Sequence, residues 1–229
     1  MKYSSYFKIS LAVLAFAGAQ SSGAAVLAGF HDFVGAKLTN PPPNNPADVV
    51  AAGFVAWAES PYSATGNGGC LDGFYGTSSI AVPATPIGDG FASIKMVGTN
   101  STTLKFVLTN NSGYSVSLSD LFFDGAATSG QPNRYVKVDF VNAMGTTTLG
   151  TSGPLTSTSP QNFDDYTYSL GNYMMANMET VSFVFTAPAG APNGTVLWID
   201  NVAIVPEASS LMAFGCMVMT GLMFRSRRK

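Results

Sequence analysis

Apolar and polar side chains alternate along most of the chain, and this period of two predicts strands. Leu104, Phe106 and Leu108 fall on one face of an extended segment, and the segments 134–142 and 180–186 alternate in the same way. Because successive side chains of a strand point to opposite faces, this pattern is typical of strands with one buried face. The further predicted strands are 26–33, 49–58, 91–97, 116–123, 146–149, 166–170 and 196–205.

These segments predict an all-β fold with two packed sheets, a β-sandwich. Turns rich in Gly, Asn, Ser and Pro separate them, as at 110–113, and no segment between residues 26 and 204 has a convincing helical period. At most a turn or two is expected at 173–179. Regularly spaced short strands without helices favour a sandwich. A jelly-roll-like topology is predicted because the Pro-rich connections 40–46 and 60–86 suit its wide loops; an immunoglobulin-like sandwich is the alternative.

The N-terminal segment has the pattern of a secretory signal peptide. Lys2 and Lys8 flank a weakly charged start, the segment 9–19 is apolar, and small residues follow. An apolar core of this length is too short for a stable membrane span. Residues 1–25 are therefore predicted to be removed by signal peptidase, leaving 26–204 as the folded domain; an uncleaved N-terminal anchor is the alternative.

The C-terminal segment combines a short motif, an apolar run and a basic end. The motif begins Val205, Pro206, Glu207 and Ala208, and the basic end contains Arg225, Arg227 and Arg228. From 208 to 224 the chain is apolar enough to cross a membrane, but as a helix it would reach only about 25 Å against a hydrocarbon core of about 30 Å. Basic residues after such a span stay on the cytoplasmic side, so the main domain is predicted to lie on the other side.

This order resembles the PEP-CTERM sorting region of exported bacterial proteins. The correspondence is a motif at 205–209, an apolar transmembrane helix at 211–224 and a basic tail at 225–229, with Ala208 where the family usually has a second Pro. The resemblance implies an exosortase-like membrane transpeptidase as a partner, which cuts near the motif. It also implies transient anchoring in the inner membrane, followed by transfer to the cell surface or the exopolysaccharide matrix. An ordinary tail anchor is the alternative.

The predicted domain is acidic. Between residues 26 and 204 it has five cations and 12 carboxylates, a net charge of −7, although the whole chain has a net charge of only −2. Five scattered cations cannot form a phosphate-binding stripe, which argues against nucleic acid and against anionic membrane surfaces as partners. Cys70 is the one cysteine in this range, so no internal disulfide is expected.

Little in the sequence indicates catalysis. His31 is the only histidine, no Gly-x-Ser-x-Gly motif occurs, and Glu59 and Glu179 are the only glutamates between 26 and 204. A glycoside hydrolase needs two carboxylates across one cleft, and the one adjacent acidic pair, Asp164 and Asp165, would point to opposite faces of a strand. We expect no enzymatic activity.

Metal binding is a slightly better candidate than catalysis. Asp32, Asp164 and Asp200 are candidate ligands of a structural Ca²⁺, since extracellular jelly rolls hold such ions with carboxylate and carbonyl oxygens. Asp200 and Asn201 are alternatively explained by hydrogen bonds to the backbone in a turn or bulge. No other cofactor is expected.

Aromatic side chains supply the candidate for ligand binding. Trp57, Tyr62, Phe74 and Tyr75 lie around the Gly-rich stretch 66–76. Aromatic rings stack on the apolar face of a sugar, although packing in the core or in loops is the preferred explanation of these residues. The segment 196–204 also resembles the last strand of secreted jelly-roll modules, including carbohydrate-binding ones. The sequence therefore predicts a non-enzymatic surface or matrix protein, with a module that binds matrix polysaccharide through these aromatics as the alternative.

Overall fold

The structure is a computed structural model that describes residues 26–31, 45–59, 75–78, 80, 94–97, 103–127, 135–155, 163–187 and 196–207. The predicted signal peptide and everything after Glu207, including the predicted helix 211–224, lie outside these residues. Within the described ranges, no helix is long and apolar enough to cross a membrane.

Twelve strands form within the described ranges. In chain order they are β1 Ala28–Phe30, β2 Asn45–Pro46, β3 Val49–Val50, β4 Phe54–Glu59, β5 Ile94–Val97, β6 Thr103–Asn110, β7 Val116–Ala127, β8 Lys137–Asn142, β9 Gly145–Thr151, β10 Asp164–Met175, β11 Thr180–Thr186 and β12 Val196–Pro206. The described residues thus confirm the all-β prediction.

The strands form two antiparallel sheets. The first sheet has the order β10-β7-β12-β1-β3, and β5 pairs with the start of β12 on the same edge that β1 occupies further along. The second sheet has the order β2-β4-β6-β11-β8-β9. Every consecutive pair of strands changes sheet except the hairpin β8–β9. This repeated crossing confirms the two-sheet sandwich.

Alternate side chains of both sheets fill the core between them. Phe106 on β6 makes edge contacts with Phe30 at 4.9 Å and Phe185 at 5.3 Å between ring centroids, and Phe123 on the facing sheet meets Phe185 at 5.0 Å. All four rings are fully buried. Edge-to-face contacts of this kind add to the hydrophobic stabilisation from burial. The predicted alternation at Leu104, Phe106 and Leu108 is confirmed, because all three belong to this core.

Several strands depart from their predicted bounds, and three of these differences bear on the fold. The predicted strand 49–58 is interrupted at 51–53, where Gly53 has a φ of 83°. β10 continues to Met175 across an irregularity between Ser169 and Tyr173. β12 extends through Val205 and Pro206, and the backbone N–H of Glu207 still donates to the carbonyl of Ser117 at 2.8 Å. The first residues of the predicted sorting motif are therefore paired within the sheet.

Candidate functional site

The outer face of the second sheet carries one aromatic side chain, Trp57, within the described residues. On β4, Phe54, Ala56 and Ala58 point into the core, so the strand alternation places Val55, Trp57 and Glu59 outside. Pro46 of β2 pairs with Trp57 on one side, and Val107 of β6 pairs with it on the other. The indole is half-buried between these neighbours.

Hydrogen bonds fix Trp57 to a charged pair. Its Nε1 donates to Oε1 of Glu59 at 2.8 Å, and Nζ of Lys105 donates to Oε2 of the same carboxylate at 3.3 Å. Glu59 and Lys105 are directly opposite each other on β4 and β6. Because the carboxylate holds both partners, the ring has a defined orientation beside a hydrogen-bonding group.

A mostly polar row of side chains, interrupted by Val184, continues across the sheet from this cluster. Lys105 is opposite Val184 on β11, Val184 is opposite Asp139 on β8, and Asp139 is opposite Thr148 on β9. Glu59 to Thr148 therefore covers four strand spacings, roughly 19 Å at about 4.8 Å each. The parallel row through Trp57 is less open, since Val107 and Ser182 are both buried, whereas Asp139 is the one buried member of the row from Glu59.

Asp139 is the second fixed carboxylate of this face. Lys137 Nζ donates to Oδ2 at 2.8 Å, and Thr148 Oγ1 donates to Oδ1 at 2.6 Å. Burial raises the pKa of Asp139, but the hydrogen bonds from Lys137 and Thr148, with the charge of Lys137, outweigh it and lower the pKa below its ordinary value. The group is therefore ionised at neutral pH. Each lysine of the face is balanced by one carboxylate.

Of the other predicted aromatics the structure describes Tyr75, and it does not bring this residue to Trp57. Tyr75 lies on the outer face of the first sheet, on the opposite side of the sandwich, where it packs with Ala203 and Val205. It is 1% exposed and so offers no ring face to a ligand from outside. Tyr62 and Phe74 lie outside the described residues. Of the four predicted glycan-contacting aromatics, only Trp57 is placed on a described, partly open face.

Tyr75 belongs instead to a buried polar cluster on the first sheet. Its hydroxyl and Nδ1 of His31 share a hydrogen bond of 3.2 Å, and the backbone N–H of His31 donates to Oδ2 of Asp48 at 2.7 Å. Burial, followed by the charges of Asp48 and Asp200, raises the pKa of the Tyr75 hydroxyl. His31 is 9% exposed, held in a packed site rather than at an open cleft.

The predicted calcium ligands do not form a described metal site. Asp200 is opposite Asp124 at an irregularity of the β7–β12 pairing, and Asn201 adopts a φ of 44° there. The Asn201 backbone N–H donates to Oδ1 of Asp200 at 2.9 Å, and its side-chain amide donates to Oδ2 of Asp124 at 2.7 Å. This is the bulge that the sequence offered as the alternative. Asp164 starts β10, Asp32 lies outside the described ranges, and no group of three metal-binding side chains occurs within those ranges.

The two glutamates are not arranged as a hydrolytic pair. Lys105 pairs with Glu59 on one side and with Val184 of β11 on the other, so Glu59 lies at the level of Val184. Glu179, in contrast, directly precedes Thr180, the first residue of β11. Five residue steps of strand separate these levels, roughly 17 Å at about 3.3 Å per residue, which exceeds the spacing of about 5–10 Å in glycosidases. Glu179 is also engaged by the Tyr173 hydroxyl at 2.5 Å and the Ala176 N–H at 2.7 Å.

Comparison with known proteins gives similarity of fold. No family model and no curated protein matches the chain. Among solved structures, the family 11 carbohydrate-binding module of a Clostridium thermocellum cellulase is 9% identical with a TM-score of 0.35, covering 82% of this chain and 97% of that one. The adhesin domain of Lys-gingipain is 15% identical with a TM-score of 0.36, covering 78% and 99%.

An arabinose-bound α-L-arabinofuranosidase, MgGH51, is also similar. It is 13% identical with a TM-score of 0.40, and the match covers 81% of this chain but only 27% of the arabinofuranosidase. The chain is a β-sandwich that resembles carbohydrate-binding modules in fold. At these identities and scores the likeness carries no information about ligands.

Proposed function

We propose that this chain is a non-enzymatic carbohydrate-binding protein whose ligand lies across the outer face of the second sheet. The observation that carries the proposal is the fixed arrangement of Trp57, Glu59 and Lys105. An oriented aromatic ring stacks on the apolar face of a sugar, while the adjacent carboxylate and ammonium groups bond its hydroxyls. The row from Glu59 to Thr148 gives room for an extended polysaccharide chain.

The charge balance of this face favours a neutral polysaccharide. Lys105 is paired with Glu59, and Lys137 is paired with Asp139. The face therefore presents no net charge among its described ionisable residues, although the domain as a whole is acidic. An anionic polymer would gain nothing from the two paired lysines and would be repelled by the rest of the domain.

Affinity electrophoresis in gels containing neutral or acidic polysaccharides tests the proposal. We expect the purified chain to be retarded by a neutral polysaccharide, and Trp57→Ala to lose most of the retardation while its unfolding midpoint shows that it is folded. Tyr114→Ala is the matched control, because Tyr114 is an exposed aromatic outside this face. Equal retardation of Trp57→Ala and the unsubstituted chain would contradict the proposal.

The strand order supports a jelly-roll topology for the domain. Strands β5 to β12 pair as β5-β12-β7-β10 in one sheet and β6-β11-β8-β9 in the other. This is the order of an eight-stranded double Greek key, with β1 to β4 as additions at the sheet edges.

We further propose that the protein is exported and processed at its C-terminus. The support is the order of the motif, the apolar run and the basic tail in residues 205–229, which lie mostly outside the described ranges. Signal peptidase removes 1–25, and an exosortase-like transpeptidase then acts near Glu207 and Ala208. The domain is thereby delivered to the cell surface or the exopolysaccharide matrix.

Intact mass spectrometry of the protein from membranes and medium of its native host tests the processing. We expect a released species that begins near residue 26 and ends near the motif. Glu207→Ala should keep the chain in the membrane, because recognition of the motif is lost. If this variant releases a species that begins and ends at the same residues as the unsubstituted protein, the processing proposal is contradicted.

A further inference from the structure

One end of the sandwich consists of described turns and of the point where the chain leaves β12 toward the apolar run 211–224. We name it the exit end; it consists of the turns 51–53, 111–115, 143–144 and 176–179 together with Glu207, which follows β12. The turns contact one another directly. The Asn111 N–H donates to the Gly53 carbonyl at 2.7 Å, and the Gly113 N–H donates to Oδ1 of Asn177 at 2.9 Å.

Exposed apolar side chains concentrate at this end. The described residues include six large hydrophobics that are strongly exposed, and each lies in one of these turns or within two residues of one: Val50 46%, Val55 49%, Tyr114 44%, Met144 83%, Met174 60% and Met178 72%. Single exposed apolar residues are ordinary, but a group at one place marks an interaction surface.

The exit end also has few charges. Within the four turns, Glu179 is the one charged residue, and its carboxylate already accepts hydrogen bonds from Tyr173 and Ala176. Glu207 adds a second carboxylate at the exit. Transfer of this end to a less polar environment would therefore cost little desolvation of charged groups.

The exit point places this end next to the predicted membrane span. The Glu207 N–H is bonded to the Ser117 carbonyl at 2.8 Å, so the chain is held by β7 up to this residue. The apolar run begins at residue 211, and four residue steps reach at most roughly 14 Å at about 3.5 Å each. The headgroup region on one side of a bilayer is about 5–8 Å thick. An inserted run therefore keeps Glu207 within about 9 Å of the outer surface of the headgroups.

We propose that the exit end is a membrane-contacting surface that rests in the headgroup region of the bilayer entered by residues 211–224. This rests on the membrane insertion included in the proposed function. Tyr114 suits this position, since tyrosine collects at membrane interfaces, and Met144 and Met178 at the turn tips supply flexible apolar contacts. Because the surface has no cation, the lipid is recognised through its apolar and zwitterionic groups rather than through anionic charge.

Fluorescence quenching of the full chain in phosphatidylcholine vesicles tests the surface. Cys70 and Cys216 are replaced by serine, and a single environment-sensitive label is attached in Met144→Cys, Met178→Cys or Gly153→Cys. Gly153 is the control, because it is exposed beyond the opposite end of β9 and a Cβ there meets nothing within 4 Å. The quenchers are iodide in the water and a nitroxide on the lipid headgroup.

We expect labels at 144 and 178 to be quenched severalfold less by iodide than the label at 153, and severalfold more by the headgroup nitroxide. If all three labels respond alike while the chain floats with the vesicles, the surface proposal is overturned and the anchor stands. If the chain does not float with vesicles, both the anchor and the surface are overturned. Equal shielding of 144 and 178 without vesicles would assign the surface to the chain's own tail or a second copy, and would also overturn the proposal.

Discussion

The hydroxyl of Tyr75 lies directly over Gly29 of β1, where a side chain of any size would collide with it. A Cβ at residue 29 would be 2.5 Å from the Tyr75 hydroxyl oxygen and 3.0 Å from the ring carbon that bears it. The ring is fully buried and its hydroxyl bonds to His31, so it has little freedom to move away. This contact holds the segment around Tyr75 on the first sheet.

Gly29→Ala should therefore destabilise the fold. We expect a loss of about 1–3 kcal/mol in the free energy of unfolding, the usual cost of overpacking a closed site. Urea unfolding measures it. Gly153→Ala is the matched control and should change stability by less than about 0.5 kcal/mol. Equal midpoints for the two variants would show that the Tyr75 ring can move.

Asn110→Ala should weaken the exit end. The buried amide of Asn110 donates to the carbonyls of Tyr114, Met175 and Ala176, and its oxygen accepts from the N–H and hydroxyl of Ser112. Removing it leaves several backbone groups without this partner, and we expect a loss of about 2–4 kcal/mol.

Asn111→Ala is the control for Asn110→Ala, because the neighbouring side chain is exposed. Denaturant midpoints of both variants measure the effect. Hydrogen exchange should also show faster exchange of the Met178 and Ser112 amides in Asn110→Ala. Loss of stability without faster exchange at these amides would place the effect elsewhere.

Thr148→Val should destabilise the protein only where Asp139 is ionised. The hydrogen bond from Thr148 helps to lower the pKa of Asp139, so its contribution is present above the unfolded value of 3.8 and is lost as pH falls through the lower folded value. We expect a loss of about 0.5–1.5 kcal/mol at neutral pH that shrinks below pH 3.8. Thr146→Val, an exposed site on the same face, is the control. A difference that stays constant in acid would exclude this linkage.

Ionisation of Tyr166 and Tyr173 should unfold the protein in alkali. Burial raises the pKa of both hydroxyls to about 12, and for Tyr173 the hydrogen bond to Glu179 and the charge of Glu179 add to it. Because the folded value is above the unfolded value of 10.0, the stabilising contribution is complete below pH 10 and is lost as pH rises toward 12. Tyrosinate absorbance followed together with unfolding measures this.

Glu179→Gln tests how much the charge of Glu179 contributes to the raised pKa of Tyr173. The substitution removes the charge while an acceptor oxygen is kept, so the Tyr173 transition should move to lower pH. The Tyr166 transition should stay where it is. If neither transition moves, the charge of Glu179 has no influence on Tyr173.

Much of the strand content followed from local periodicity. β6 and β11 lie where the alternation of 103–109 and 180–186 predicted them, because each has one face in the core and one outside. The bulge at Asp200 and Asn201 was one of two readings of a polar pair in an apolar strand. β2 was not predicted, because a strand of two residues has no period to detect.

The sequence by itself determined an all-β chain with alternating faces, an acidic predicted domain and two unusual ends. Only the tertiary structure decided which faces Trp57 and Tyr75 occupy. The sequence gives Trp57 and Tyr75 the same role, as aromatic candidates for ligand binding. In the structure, Trp57 lies on the outside of the second sheet and Tyr75 is buried on the first. Strand periodicity predicts that neighbouring residues point to opposite faces of a sheet. Whether a given face meets water depends on the order of the strands and on the residues that pack over each sheet. Both depend on contacts between residues distant in the chain.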